Sequence, residues 1–278
     1  MKIYFNLLFF LFLLYPHVSA NDLSNNVKPK YSGLFRGEEL TYEVSWLSIK
    51  IGTIKVMVNE NEGSNSSYST IAFIDSYPGL PFADVHAIFK GIMDEHAVSQ
   101  SFIGLDKEKN GEWSVLKYDY NKTRTEVVIN KGVAKNFNDY TIIYNPIDTL
   151  WIDLLTQDGL SVFYFARQQL RSLDTFSVKT IVQGKAGTTE LNCYGKQSDV
   201  EIHAVKYPVD VVELNGMAKF KGVFGLTGEF KGWFSNDDAH IPIRAQLGVI
   251  IGNVNLELIS WKRGGWMPPE YYKRVYGQ

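Results

Sequence analysis

Alternation with a period of two constrains this chain more than any other feature. Leu40, Tyr42, Val44 and Trp46 alternate with Thr41, Glu43 and Ser45, and after Gly52 the residues Ile54, Val56 and Val58 alternate with Thr53, Lys55 and Met57. Successive side chains of a strand point to opposite faces, so this pattern predicts strands buried on one side and wet on the other. Comparable stretches recur at 68–75, 112–120, 123–130, 139–144, 174–183, 187–194, 199–206, 208–214, 217–224, 226–235, 241–247 and 249–261. Turn residues separate many of them, among them Asn110-Gly111, Lys131-Gly132 and Asn236-Asp237-Asp238. The sharpest is Asn215-Gly216, where both residues tolerate positive φ; it predicts a type I′ hairpin between 208–214 and 217–224. Short, regularly spaced strands imply a mainly β fold: a large curved antiparallel sheet, either an open barrel or sandwich-like.

One region departs from this pattern. Asn145-Pro146 reads as an N-cap followed by the first helical residue, and Ile147, Leu150, Trp151, Leu154 and Leu155 follow at helical spacing. Asp158 restarts the pattern, with Leu160, Phe163, Tyr164 and Arg167 after it. The expectation is a central helical segment near 146–171, apolar on most sides and packed on the concave face of the sheet. Residues 81–90 are expected to form a second, short helix.

The N-terminus has a different composition. Met1 and Lys2 precede an apolar run from Ile3 to Leu14, and Val18-Ser19-Ala20 places small residues at the −3 and −1 positions. This is the pattern of a secretory signal peptide cleaved after Ala20. A run near 12 residues is short for a span, which needs about 20. The only cysteine, Cys193, lies far from it, so no lipid anchor is expected there. The expected organisation is a signal peptide (1–20), a loose lead-in (21–36), a single β-rich domain (37–262) and a C-terminal tail (263–278). No transmembrane segment is expected in the mature chain, and the expected location is periplasmic or secreted.

Composition narrows the function classes. With 45% hydrophobic residues and a formal charge of −2, disorder is excluded, and no basic excess is available to neutralise phosphates. Nucleic acid is therefore not an expected partner. The single cysteine forms no intramolecular disulfide or Cys-based zinc site, and Cys193 reads as a small buried hydrophobe. There is no HExxH, GxSxG or P-loop. Gly222, Gly225 and Gly228 recur every three residues, but no helix follows, so they read as bends in a curved sheet. Apart from His17 in the leader, the histidines are His86, His96, His203 and His240, and their spacing singles out no metal set. No cofactor, metal or catalytic residue is assigned.

The most suggestive constellation is Asp158, Ser161, Tyr164 and Arg167, each three residues apart. Steps of three form a slowly drifting ridge on a helix. The ridge reads first as a cap and a structural network docking the helix onto the sheet. Its second reading is a polar stripe facing a ligand cavity. A buried Arg167 requires an acid, and Asp237 or Asp238 is a candidate source.

Four stretches stand out together: Gly37-Glu38-Glu39-Leu40-Thr41-Tyr42-Glu43-Val44 with Gly52, the stripe Asp158, Ser161, Tyr164 and Arg167, the run Trp233 to Asp238 leading into Ile241-Pro242-Ile243-Arg244, and Gly252 to Leu258. In their order and spacing the chain resembles the secreted bacterial family known as domain of unknown function 3108. The resemblance implies an exported, mostly β domain and no assigned activity. In architecture alone, a curved sheet holding a helix is similar to the lipoprotein carriers of the bacterial envelope. The leading expectation is a non-enzymatic periplasmic binding or envelope-assembly protein with an apolar groove for a lipid or other apolar envelope ligand. The alternatives are a hydrolase of an envelope polymer using unidentified carboxylates and an interaction protein without a small ligand. The sequence does not fix the oligomeric state.

Overall fold

The computed structural model describes residues 33–59, 67–81, 84–135, 145–219, 228–249 and 251–272. The strands run in chain order as β1 (Glu39–Trp46), β2 (Ile49–Val58), β3 (Ser67–Ser76), β4 (His86–Asp94), β5 (Ser99–Lys107), β6 (Trp113–Asn121), β7 (Glu126–Ala134) and β8 (Asn145–Trp151). They continue as β9 (Gln157–Asp158), then, after the helix α1 (Ser161–Gln169), β10 (Thr175–Val182), β11 (Lys185–Val200), β12 (Val209–Ala218), β13 (Gly228–Ser235), β14 (Pro242–Gly248) and β15 (Asn253–Lys262). All belong to one sheet, ordered β8-β7-β6-β5-β4-β3-β2-β1-β15-β14-β13-β12-β11-β10-β9. Two antiparallel meanders therefore join where β1 pairs with β15, and only the short β9 runs parallel to its neighbour. The two edges, β8 and β9, are consecutive in the chain. The sheet curves most of the way to a barrel and stays open there.

The alternation in β1 and β2 sets the inner face as the sequence predicts: Leu40, Tyr42 and Val44 are buried. α1 lies within the curve. Leu160, Tyr164, Phe165, Ala166 and Leu170 pack in one core cluster with Val58, Met93, Phe102, Ile129, Leu191 and Leu214. Ten or so strands contribute to the walls around one short helix, so the helix is held by burial of its apolar face rather than by its length. Cys193 is fully buried in the same cluster, and burial pushes its thiol up to about 12. Among the described residues no helix is long and apolar enough to cross a membrane.

Several local expectations are corrected. The helix does not begin near residue 146. Asn145–Trp151 is the edge strand β8, paired with β7 from Glu126↔Trp151 to Lys131↔Asn145. Pro146 faces Asn130 beside a register shift, and an edge strand at a bulge is where a residue without an N–H is tolerated in a sheet. Residues 86–94 are strand β4 rather than helix, and β5, which has weaker alternation, was not expected at all. The chain leaves β11 at Val200, so 201–206 is not a strand. Asn215 and Gly216 sit inside β12, facing Asn192 and Leu191 on one side and Lys231 and Phe230 on the other. Their turn propensity is overridden by pairing on both sides.

Two segments flanking the sheet, 33–36 and 263–272, are also more firmly held than composition implies. Leu34, in the expected lead-in, is 3% exposed within the core. Beyond β15 the chain turns back: Asp210 N–H donates to Pro269 O at 2.8 Å, Tyr271 N–H donates to Pro208 O at 2.8 Å, and Trp266 meets Trp261 edge-on. Residues 1–32, which include the expected signal peptide, the stretch 139–144, Gly222, Gly225 and residues 273–278 lie outside the described residues.

Candidate functional site

The stripe separates into two polar networks, one at each end of α1. Asp158 anchors the first and is buried. Its Oδ1 accepts the N–H groups of Leu160 (2.7 Å) and Ser161 (2.8 Å), and Ser161 Oγ accepts the Asp158 N–H (2.9 Å). Reciprocal bonds of this kind satisfy backbone donors that a helix start leaves over. Ser99 Oγ, from β5, donates to Asp158 Oδ2 at 2.5 Å and ties the helix start to the sheet. Burial raises the Asp158 pKa, and the donors from Ser99, Ser161 and Leu160 only partly offset that. Asp158→Asn keeps the Oδ1 acceptor and can reverse the bond to Ser99, so its unfolding free energy should lie within about 1 kcal/mol of wild type. Asp158→Ala leaves those donors unmet and should lose about 1–2 kcal/mol in urea denaturation. Equal losses in the two variants would contradict this role.

Arg167 anchors the second network. It is 2% exposed. Nη1 and Nη2 donate to Glu38 Oε1 (2.6 Å) and Oε2 (3.0 Å), and Nη2 also reaches Ala239 O at 3.0 Å. The acid is therefore Glu38 rather than Asp237 or Asp238. Asp237 is close by but occupied: it accepts from Ser235 Oγ, Trp266 Nε1 and the Ala239 N–H, shaping the turn that presents Ala239 O. Arg263, from the chain end, donates to Glu38 Oε2 at 2.5 Å. Two guanidiniums thus face one carboxylate. Burial alone would raise the Glu38 pKa; the two arginines outweigh it and hold the carboxyl below its ordinary value. His240 Nδ1–H donates to the carbonyl of Arg167 itself at 2.8 Å, and the guanidinium lies 5.5 Å from the Tyr164 ring centre. A buried ion pair of this geometry is bidentate and charge-assisted, so it fixes position as well as charge.

Glu38 was legible in the sequence as a residue but not as a partner. It immediately precedes β1 and shares the parity of Leu40, Tyr42 and Val44, and like them it is buried. An acid at such a position needs a buried cation. Arg263 and Ser99 carried no comparable signal.

Between α1 and the concave face lies a cavity of about 340 Å³. Val162, Phe163 and Ala166 form its helix side, and Ile54, Leu191, Leu214, Phe230, Phe234 and Leu256 are among its sheet side. It reaches the ends of β12, β13 and β14 at Ala218, Gly228 and Gly248. A smaller cavity of about 110 Å³ adjoins it, sharing Ile54, Phe89, Gly159 and Phe163, and adds Tyr42, Tyr164 and Arg167. Asp158 and Ser161 line neither. Tyr164 and Arg167 thus meet a cavity as well as docking the helix, whereas the other half of the stripe is structural in its contacts. Among the described residues no group of three or more His, Cys, Asp or Glu is placed to hold a metal.

A family model described as "Protein of unknown function (DUF3108)" matches residues 41–259. Among solved structures the chain is similar to a beta-barrel-like protein of domain of unknown function DUF1849 from Brucella abortus. The TM-score is 0.55 at 11% identity, over 82% of this chain and 99% of that one, which is a likeness of fold. No curated protein matches.

Proposed function

We propose that this chain, which belongs to the DUF3108 family, is a non-enzymatic carrier or envelope-assembly protein that takes an apolar chain between α1 and the sheet. The observation that carries this reading is the larger cavity. It falls in the size range of small-molecule sites, and the surface its walls present is almost wholly apolar. Water in such a space makes few hydrogen bonds, so an alkyl chain that replaces it gains roughly 25 cal/mol per Å² of apolar surface buried. The signal-peptide pattern of residues 1–20 supports a periplasmic setting, where acyl chains need protein cover between membranes.

Two measurements test the reading. Protein purified from its native envelope should release a stoichiometric acyl lipid on solvent extraction, identified by mass spectrometry. Gly159 gives the matching variant. A Cβ built there meets nothing within 4 Å, and the residue borders both cavities. The side chain of Gly159→Leu therefore starts in open space and should occupy the junction. We expect a thermal midpoint close to wild type and at least a tenfold loss of affinity for an apolar fluorescent probe such as diphenylhexatriene. A Gly159→Leu protein that binds the probe as wild type does would place binding elsewhere.

A further inference from the structure

The carrier reading leaves open which end of a ligand enters first, and two buried polar atoms bear on that. Tyr42 is 6% exposed and Arg167 is 2% exposed. Both line the smaller cavity. Among the described residues neither Tyr42 Oη nor Arg167 Nε has a hydrogen-bond partner. Both are donors, since a guanidinium has no acceptor and a buried phenol stays protonated here: burial pushes the Tyr42 pKa far up. A buried donor without an acceptor is costly, so native proteins rarely retain two on one small cavity unless something accepts from them.

Resting on the carrier reading, we infer that the smaller cavity is a head-group subsite, and that the ligand is a single-chain acyl amphiphile, a fatty acid or an acyl ester, bound carbonyl end inward. The carbonyl or carboxylate oxygen accepts from Tyr42 Oη–H and Arg167 Nε–H. The chain runs past Gly159 and Phe163 into the larger cavity. Arg167 and Arg263 share the Glu38 carboxylate through their terminal nitrogens, so the Nε–H of Arg167 is a charge-assisted donor left over for an anionic or strongly dipolar oxygen. The larger cavity offers the chain an apolar lining and no comparable buried donor pair. The same Arg167 that docks the helix through its two terminal nitrogens thus presents its remaining nitrogen, Nε, to the ligand.

Tyr42→Phe tests this without touching the ion pair. It removes one O–H and keeps the ring. Because that O–H has no partner in the protein, the thermal midpoint should stay at or above wild type, whereas a structural hydroxyl would lower it. Two probes are titrated fluorimetrically into the full mature chain: cis-parinaric acid, which has a carboxyl end, and diphenylhexatriene, which has none. We expect Tyr42→Phe to bind parinaric acid about tenfold more weakly, the loss of one hydrogen bond, with diphenylhexatriene affinity unchanged. Methyl palmitate and palmitic acid, used as competitors, separate an ester from a free acid. If Tyr42→Phe binds both probes as wild type does, or if wild type binds only the hydrocarbon, the subsite is overturned while the carrier reading stands. If wild type binds neither probe, both fail together.

Discussion

Arg167→Met should cost the fold about 3–5 kcal/mol, read from the urea midpoint, whereas an arginine on the surface would cost close to nothing. The methionine keeps most of the aliphatic stem. What it removes is a bidentate bond to Glu38 and the bond to Ala239 O, and Glu38 is 1% exposed. The carboxylate would be left with Arg263 alone. Removing both charges should be milder. Glu38→Leu with Arg167→Met removes both members of the pair, and Arg263, 13% exposed at its side chain, can turn to solvent. The double variant should therefore recover part of the loss, and the coupling free energy should exceed 1 kcal/mol. A wild-type midpoint for Arg167→Met alone would contradict the anchor. The ion pair also sets a pH dependence. Glu38 has a folded pKa below its ordinary 4.5, so the unfolded chain takes up that proton first. Its contribution is present in full above pH 4.5 and is lost as pH falls through the lower folded value. Asp158 acts in the opposite sense. Burial raises its pKa above the ordinary 3.8, so the folded chain binds that proton more readily and acidification relieves a cost. Asp158→Asn removes this relief. Its stability should fall more steeply than that of wild type between pH 5 and pH 3.

The fold was legible where burial is one-sided. Along β1, Leu40, Tyr42 and Val44 point inward and Thr41 and Glu43 outward, and the alternation states this directly. It fails where burial changes face or turns patchy. In β5 the buried residues are Ser99, Phe102, Gly104 and Leu105, which breaks the period of two. In Asn145–Trp151 the apolar spacing fits a helix as well as a strand, and only the partner strand β7 decides between them. The helix core, Tyr164 to Arg167, was legible because a strand cannot place both on one face with Asp158 and Ser161. The geometry of the site was half legible. A buried arginine implies a buried acid, but the pairing spans a sequence separation of 129 residues, and nothing local in the chain encodes it. An apolar groove was expected from the class of fold, but the position and walls of the cavity were not legible. Its walls are ordinary core residues, and a space is defined by the atoms that are missing between them.

Gly216→Val should destabilise the protein by more than 3 kcal/mol, which is more than a misplaced turn residue would cost. The glycine is buried in mid-strand, between β11 and β13. A Cβ at this position would overlap Phe230 Cζ and lie 2.5 Å from the carbonyl oxygen of Glu190. The two contacts differ in kind. The phenyl ring can rotate away, giving up its packing against the backbone of β12 and its place in the cavity wall. The carbonyl cannot move without opening the β11–β12 ladder, because it belongs to the neighbouring strand. Overpacking of a core by a methylene or two costs about 1–3 kcal/mol when side chains can adjust. Here a backbone atom is also engaged, and valine adds two further methyl groups. Gly216→Ala isolates the two contributions. Combined with Phe230→Leu, which relieves the ring, the alanine variant should regain part of its stability, and the remainder should measure the backbone contact with Glu190. Full recovery in the double variant would mean the ring alone requires the glycine. An unchanged midpoint in Gly216→Ala would mean that neither contact exists, and that Asn215-Gly216 is the hairpin tip its sequence resembles.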